Sequence, residues 1–475
     1  MESMAPPVLT NDKSQEHQVM LAGWDWSETS PPWAYTSTSA WESTLPAGVP
    51  VVPLSTVAGD FYTKLQATVN AAPGRVIVRL PAGVFTLNQF RAIGSSGNPT
   101  YAFGFFFPKL AGFVGAGPDK SIIEMAAGSV SQAQLSHMST MTQASFIQLQ
   151  MGMCRLDTQY SNAPAPIYLG GVGFEAAPQP LLTSISSDIT NGVYVPQSAP
   201  HLGVAIYSDS NRRHPDSIVT HCRFRGAGKA MTSQPPFELS NITSQRNHVT
   251  YAHTEFDGRM SPRYDATRPR KCGPFMANGG VTQLITDCWM HHSNVSRYAA
   301  NDESVASPTA LSNHYRIERL KIEQITNNQN RQPPINGGNS LGGYTNASCI
   351  GFESSNALIE IIDCIASVDN NLIAGQVPCH IQLTNTGAAR AGGRLYVRGG
   401  EFRHTAFPQL NGFVTFRIQP TSNWWTDGFN TTLDVRDNSG NRLLPYQVTG
   451  TWPPTAAALA SAGVTPATHF LIRST

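Results

Sequence analysis

A short phrase that recurs six times constrains the fold of this chain more than any other feature of its sequence. The phrase reads apolar, any residue, polar, small, any residue, apolar, as in VTHCRF at 219–224. A unit with so little apolar surface cannot bury it alone, so the repeats must stack on one another, which predicts a solenoid. The repeats lie at 219–224, 251–256, 285–290, 317–322 (with Leu320 at the small position), 361–366 and 397–402.

A second strand-like phrase precedes most of these repeats, so each unit reads as strand, polar connection, strand and short turn. The closing apolar residues are 32 residues apart from Phe224 to Phe256 and 44 apart from Ile322 to Ala366. A solenoid turn without insertions needs about 20–25 residues, so each turn here carries an extra loop. We therefore predict an all-β, right-handed parallel β-helix with long turn loops. The second phrases lie at 204–208, 237–242, 275–280, 349–354 and 379–385, with one further turn at 413–418 and 431–435.

The two ends of the chain differ from the repeats. Residues 1–58 hold four of the eight tryptophans among Pro, Ser and Thr, which predicts an extended arm. That arm either packs on its own solenoid or docks on a partner. Residues 57–72 have helical periodicity and predict a helix that covers the first turn of a β-helix spanning 59–436, and 437–475 form a C-terminal cap. The four tryptophans are Trp24, Trp26, Trp33 and Trp41.

Charge and hydropathy exclude two classes of partner. The chain has 32 Lys and Arg against 31 Asp and Glu, a net charge of +1, so no overall field attracts nucleic acid or a membrane surface. No stretch of 18 apolar residues predicts membrane insertion. The first twenty residues do not have the pattern of a signal peptide.

The cysteines predict buried free thiols. There are seven of them without a CxxC pair, which is atypical of a zinc site. Cys222, Cys288 and Cys364 have the same phase in alternate repeats, and stacked strands then separate them by about 9.6 Å, too far for a disulfide. Free thiols agree with synthesis in a reducing cytoplasm.

Two segments near the start of the repeats resemble the entry region of pectate-lyase-like β-helices. They are RVIVRLPAGVFTL at 75–87 and FVGAGPDKSIIEM at 113–125, and the later C-x-F phrases resemble the rungs of the same superfamily. The resemblance covers about three quarters of the chain. It implies the fold and says little about activity.

Within this superfamily, the lack of a secretion signal and the Trp-rich arm resemble bacteriophage minor tail proteins and tailspikes. That resemblance implies a virion protein made in the host cytoplasm, attached to other virion proteins through residues 1–58. It also implies a homotrimer that binds, and in many cases degrades, a host-surface polysaccharide.

The best candidates for catalysis are the carboxylates and histidine of the phrase HTEFD at 253–257. Strand alternation predicts that His253, Glu255 and Asp257 share one solvent-facing side, with Asp287 and His291 one repeat further on. Asp302 and Glu303 follow in the next loop, and paired carboxyls are what a glycosidase requires. Alternatively, this is a solvated strand face, and the polar position of each repeat is a ladder that stabilises the turn. The ladder residues are then His221, His253, Asp287 and Asp363.

The candidates for glycan binding are arginines and aromatic residues. Arg263, Tyr264, Arg268 and Arg270 form a basic loop that fits an anionic polymer, and Trp424 with Trp425 could stack on sugar rings. Alternatively, these groups lie in a subunit interface. The sequence predicts no metal site and no cofactor, although Ca²⁺ is not excluded.

Three functions follow for the chain as a whole. The leading one is a phage tail protein that binds a host-surface polysaccharide. The second is a polysaccharide depolymerase, either a glycoside hydrolase or a lyase, although the paired-Asp signature of polygalacturonases and the Asp cluster of pectate lyases are absent. The third is a structural or decoration protein of the virion without enzymatic activity.

Overall fold

The fold is described by a computed structural model of the chain. It describes residues 38–89, 92–93, 101–126, 150–157, 166–176, 204–209, 217–225, 231–234, 247–257, 275–277, 281–293, 300–301, 314–324, 348–352, 358–368, 379–383, 394–405, 407–418 and 433–474. Strands dominate these residues, and helices are few and short.

The helices are α1 (Ser39–Glu42), α2 (Phe61–Ala71) and α3 (Ala456–Ser461), with a 3₁₀ turn at Pro408–Leu410. The first sixteen strands are β1 (Val51–Pro53), β2 (Val76–Arg79), β3 (Gly83–Leu87), β4 (Ala92–Ile93), β5 (Tyr101–Phe106), β6 (Leu110–Val114), β7 (Ser121–Met125), β8 (Gln150–Asp157), β9 (Tyr168–Gly170), β10 (Gly173–Ala176), β11 (Val204–Asp209), β12 (Ser217–Thr220), β13 (Arg223–Arg225), β14 (Met231–Gln234), β15 (Asn247–Ala252) and β16 (Glu255–Asp257). The remaining sixteen are β17 (Phe275–Ala277), β18 (Val281–Thr286), β19 (Trp289–Ser293), β20 (Ala300–Asn301), β21 (His314–Glu318), β22 (Lys321–Gln324), β23 (Ser348–Phe352), β24 (Leu358–Ile362), β25 (Ile365–Val368), β26 (Cys379–Leu383), β27 (Arg394–Arg398), β28 (Glu401–His404), β29 (Thr415–Ile418), β30 (Leu433–Arg436), β31 (Leu444–Gln447) and β32 (His469–Ser474).

The strands form long parallel sheets that run the length of the molecule. Sheet 1 has the order β1-β2-β6-β9-β12-β15-β18-β21-β24-β27-β30, and sheet 2 has the order β28-β25-β22-β19-β16-β13-β10-β7-β3. Sheet 3 (β20-β17-β14-β11-β8-β5-β4) and sheet 4 (β23-β26-β29-β32-β31) provide the third strand of each turn. Only the pair β4–β5 is antiparallel among the named strands. The predicted all-β parallel β-helix is confirmed.

The repeated phrase is one corner of the β-helix. Its first apolar residue is the last but one residue of a strand of sheet 1 and its last lies in a strand of sheet 2, and both point inward. In sheet 2, the closing residues stack in register as one core row, and the rings of Phe224 and Phe256 lie 5.8 Å apart at 10°. This row is Phe174, Phe224, Phe256, Met290, Ile322, Ala366 and Phe402.

The corner itself is a tight turn at the polar position of the phrase. Five non-glycine residues there have φ between 47° and 53°, the left-handed region. Each donates its N–H to the last carbonyl of the next sheet 1 strand, as His253 does to Thr286 at 3.2 Å. The turn therefore continues the hydrogen-bond ladder of the solenoid from sheet 1 into sheet 2. The five residues are His221, His253, Asp287, Arg319 and Asp363, and Gly171 and Gly399 occupy the same position in other rungs.

The N-terminal residues in the described part pack on the solenoid. Strand β1 pairs in parallel with β2, and Trp41 of α1 is 1% exposed with its indole N–H donating to the Gly115 carbonyl at 3.1 Å. Trp41 covers the outward side of the first rungs of sheet 1, against Ile77 and Tyr168. Residues 1–37, with Trp24, Trp26 and Trp33, lie outside the described residues, so docking of that part of the arm on a partner stays a prediction.

Helix α2 lies within the predicted interval 57–72. The Asp60 side chain accepts the backbone N–H of Thr63 at 2.9 Å and so caps its first turn. Phe61, Leu65 and Val69 join the core at the first rung. None of the helices in the described segments is long and apolar enough to cross a membrane.

The C-terminal residues 437–474 extend the stack. Strand β32 pairs in parallel with β29 and β31, and α3 packs Leu459 against Leu410 and Leu471 in a small apolar cluster. The six cysteines in the described part are free and buried, and Cys272 lies outside it.

Candidate functional site

Strand alternation predicts that His253, Glu255 and Asp257 share a solvent-facing side, and this prediction is wrong. The chain turns at His253, whose φ of 47° places it between β15 of sheet 1 and β16 of sheet 2. Glu255 and Asp257 do share a side, because both flank the inward Phe256. That side is not solvated at this rung, since Glu255 is 4% and Asp257 0% exposed.

The two carboxylates belong to a buried charge cluster on the outer side of sheet 2, formed by Glu175, Arg223, Arg225, Glu255, Asp257 and His291. Arg225 Nε donates to Asp257 Oδ2 at 2.8 Å, and its Nη1 lies 3.4 Å from Glu175 Oε1. Glu175 also accepts from Arg223 at 3.1 Å. His291, which strand pairing places beside Asp257 as predicted, has its Nε2 at 2.9 Å from Glu255 Oε1.

This cluster does not fit a metal ion, although oxygen and nitrogen atoms of Glu255, Asp257 and His291 lie within 4.8 Å of one another. The direct 2.9 Å contact between His291 and Glu255 occupies the space where an ion would sit between its ligands. The guanidinium of Arg225 already neutralises Asp257 and would repel a cation. Calcium in particular requires six to eight oxygen ligands.

The same geometry argues against a catalytic role for Glu255 and Asp257. A glycosidase needs both carboxyls to reach the scissile bond of a bound sugar. Here both groups are buried and engaged with Arg225 and His291. The cluster has the features of a structural ion-pair network between neighbouring rungs.

Asp287 and His253 lie in a second set of residues, the turn ladder formed by His221, His253, Asp287, Arg319 and Asp363. The ring centroids of His221 and His253 are 4.8 Å apart, and the Trp41 ring lies 5.3 Å from that of His221, tilted by 43°. Arg319 donates to both Asp287 oxygens, at 2.6 and 2.7 Å. These contacts are the turn-stabilising ladder that the sequence offers as the alternative to catalysis.

The ladder shifts the pKa values of its members. Burial and the neighbouring His253 lower the pKa of His221 to about 4. Burial works against ionisation of Asp287, but the hydrogen bonds and charge of Arg319 outweigh it and hold the pKa of that carboxyl below its usual range. Asp287 is therefore an anion at neutral pH and cannot serve as a general acid.

We expect Asp287→Val to lower the free energy of unfolding by about 1–2 kcal/mol more than Asp287→Asn. Both substitutions remove the charge paired with Arg319, but a β-branched residue is strained at φ 53° whereas Asn tolerates it. Urea denaturation of the two variants measures the difference. Equal stabilities would show that the turn is not held in the left-handed conformation.

A third set of residues forms the outward side of sheet 1 from β15 to β30, which we name the open face. The outward side of sheet 1 before β15 is apolar and is covered by Trp41, whereas the open face is more polar. His314, Arg316, Tyr396, Arg398, Asp434 and Arg436 are half-exposed, Arg394 is exposed, and Glu318 and Glu360 are buried between them. Register aligns them in rows across the strands, with Arg316, Glu360, Tyr396 and Asp434 in one row.

Ion pairs along the open face hold its side chains in place. His314 Nε2 lies 2.7 Å from Glu360 Oε2, and Arg316 bonds Glu318 and lies 3.7 Å from Glu360. Burial opposes ionisation of Glu360, but His314 and Arg316 lower the pKa of this carboxyl overall. The row therefore presents fixed charged groups, and Tyr396 adds an aromatic ring.

The sequence predictions did not identify the open face, although a signal was present. The segments HYRIE at 314–318 and RLYVR at 394–398 alternate polar and apolar residues, the pattern of a strand with one side buried. The residues predicted for glycan binding, and two of those for catalysis, lie outside the described residues. They are Arg263, Tyr264, Arg268, Arg270, Asp302, Glu303, Trp424 and Trp425.

Comparison with known proteins returns few similarities. No family model matches the chain, and no curated protein matches it. Among solved structures, the catalytic domain of a GH87 α-1,3-glucanase in complex with tetrasaccharides is similar over 86% of this chain and 66% of that chain, with 10% identity and a TM-score of 0.29. The same type of domain with nigerose has a TM-score of 0.24 at 10% identity and the same coverage. The Agl-KA catalytic domain covers 91% of this chain and 69% of its own length, with 11% identity and a TM-score of 0.22.

The chain thus spans about two thirds of the length of these glucanase domains. Similarity at these TM-scores transfers neither an activity nor a residue role.

Proposed function

We propose that the chain binds a polysaccharide along the open face. The observation that carries this proposal is the row of charged, planar and aromatic side chains repeated on neighbouring strands of sheet 1. Hydroxyl groups of a sugar need such donors and acceptors, and Tyr396 offers an apolar ring for the C–H side of a sugar.

A polymer fits this surface better than a small molecule does. The open face spans neighbouring rungs about 4.8 Å apart, so a long ligand can bind several rungs at once. The hydrogen bond of His314 and the ion pairs of Arg316 and Arg436 restrict these side chains before the ligand arrives, which lowers the entropy lost on binding.

Binding is better supported than hydrolysis by the described residues. A glycosidase requires one carboxyl that stays protonated at working pH through a raised pKa. The described carboxyls with a shifted pKa, which are Asp287, Glu360 and Asp437, are all shifted downward. These groups are anions that accept hydrogen bonds.

We expect Arg316→Ala to weaken polysaccharide binding by about tenfold, because it removes a charge-assisted donor from the centre of the face. The purified protein is incubated with cell-wall, capsule and commercial polysaccharides, and bound protein and released oligosaccharide are measured together. Arg403→Ala is the matched control: Arg403 is also an arginine paired with a glutamate of its own strand, Glu401, but it is more exposed and lies on sheet 2.

Each outcome discriminates between the functions. Binding that weakens in Arg316→Ala and not in Arg403→Ala supports the proposal. Release of oligosaccharide makes the chain a depolymerase, and binding to no polysaccharide favours the structural or decoration role. A place in a phage tail, a homotrimer and attachment through residues 1–58 remain proposals that rest on the resemblance.

A further inference from the structure

We infer that the C-terminal end of the open face selects polysaccharides that have anionic substituents. This inference rests on the proposed function and names the class of ligand. The surface concerned is the arginine patch, formed by Arg394, Tyr396 and Arg398 of β27 with Arg436 of β30.

The register of the strands determines the geometry of the patch. Leu395 and Val397 point into the core, so Arg394, Tyr396 and Arg398 all point outward from one strand. Arg436 lies directly beside Arg398 on the neighbouring strand. On the other side, Arg398 lies beside Ile362, which offers no charge.

Two of the three arginines of the patch, Arg394 and Arg398, have no ion pair within the described part of the chain, whereas Arg436 is paired. Neither Arg394 nor Arg398 forms a side-chain hydrogen bond in that part of the chain either. Asp434 is paired with Arg436 at 3.0 Å, and Arg442 approaches the same carboxylate at 3.9 Å. Like charges directly opposite each other on neighbouring strands are unfavourable, so the pair Arg398–Arg436 is relieved when an anion binds between them.

The chemistry of guanidinium groups defines the class of ligand. Their planar donors match the oxygens of a carboxylate, a sulfate ester or a phosphate ester, in many cases through two parallel hydrogen bonds. The Tyr396 ring lies on the same strand between Arg394 and Arg398 and can pack against the sugar that carries the anion. A uronic acid or a sulfated or phosphorylated sugar satisfies both requirements.

The test compares three polymers with one backbone: dextran, carboxymethyl-dextran and dextran sulfate. We expect the protein to bind at least one of the two anionic polymers about tenfold or more tightly than dextran at low salt, and to lose that preference as salt rises. The double substitution Arg394→Gln with Arg398→Gln removes the preference. The matched control is Arg403→Gln, an exposed arginine of sheet 2, and circular dichroism verifies that each variant is folded.

The outcomes separate this inference from the proposed function. Preference for one anionic polymer that depends on Arg394 and Arg398 supports the inference, and the polymer preferred identifies a carboxylate or a sulfate. An equal loss in Arg403→Gln, or equal binding of a DNA oligonucleotide, makes the effect one of bulk charge and overturns the inference. Equal affinity for dextran and its anionic forms overturns it but keeps the proposed function, whereas binding to no dextran and to no polymer of the wider screen overturns both.

Discussion

We expect Arg225→Ala to lower the free energy of unfolding by about 3–5 kcal/mol. The guanidinium lies between two carboxylates of the buried charge cluster, 2.8 Å from Asp257 and 3.4 Å from Glu175. Asp257 is fully buried, so loss of the short hydrogen bond from Arg225 removes compensation for a charge that water cannot solvate. Its contact with His291 Nδ1 is longer, at 4.0 Å.

The matched control for this substitution is Arg436→Ala. Arg436 also pairs with an aspartate, but its side chain is 39% exposed and that of Asp434 36%, so water solvates both charges after the loss. We expect that control to change stability by less than about 1 kcal/mol. Urea denaturation at neutral pH compares the two variants, and similar losses in both would contradict the buried ion-pair interpretation.

The stability of Glu255→Gln then bears on the catalytic prediction. A structural role predicts a less stable protein whose glycan binding per folded molecule is unchanged. A catalytic role predicts a stable protein that has lost oligosaccharide release.

The repeats specified the fold because stacking imposes the same demand on every rung. Each phrase needs an inward apolar residue before the corner and another after it, and this pattern survives insertions of any length in the loops. The core row from Phe224 to Phe402 was therefore predictable from the sequence alone.

The positions of the predicted site residues were less predictable because alternation holds only within one strand. A left-handed residue at position 253 rotates the chain, so the side-chain directions of His253 and Glu255 are not related by strand geometry. Burial of Glu255 and Asp257 was not predictable either, since polar strand residues usually face water. The side chains that bond them, Arg225 for Asp257 and His291 for Glu255, come from rungs 32 and 36 residues away.

The open face was more predictable from the sequence than the site residues and less predictable than the core row. Its alternation is visible in single strands such as RLYVR, but the rows that make it a surface exist only once strands 32 to 44 residues apart are in register. Arg398 and Arg436 of the arginine patch are an example. They are 38 positions apart in the sequence and become neighbours only through the pairing of β27 with β30.

Two buried histidines near the C-terminal end make the protein sensitive to acid. His380 is 0% and His404 1% exposed, and their ring centroids are 4.5 Å apart. Both bond the Thr415 hydroxyl, at 2.9 and 3.1 Å, and the second ring nitrogen of His380 lies 3.0 Å from the Arg403 carbonyl. Burial lowers the pKa of His380 to about 4, and burial together with the neighbouring His380 lowers the pKa of His404 well below its usual value.

Because the folded-state pKa lies below the unfolded value of about 6.5, the neutral rings contribute their full stability above that pH. The contribution falls as the pH drops from about 6.5 towards 4, since the unfolded chain then binds protons that the folded chain excludes. For His380 alone, the shift corresponds to about 3 kcal/mol. We expect the wild-type protein to lose at least that much stability between pH 7.5 and pH 4.

The double variant His380→Gln with His404→Gln isolates this effect from the titration of the carboxylates. Gln keeps a hydrogen-bonding side chain near Thr415 but cannot be protonated in this range. Urea denaturation is measured for both proteins at pH 9, 7.5, 5.5 and 4.5. The difference in unfolding free energy should be constant above pH 7.5, where no histidine changes charge, and should shift in favour of the variant as the pH falls. Parallel pH profiles for the two proteins would contradict the prediction, because the buried rings would then titrate in the folded chain as they do in the unfolded one.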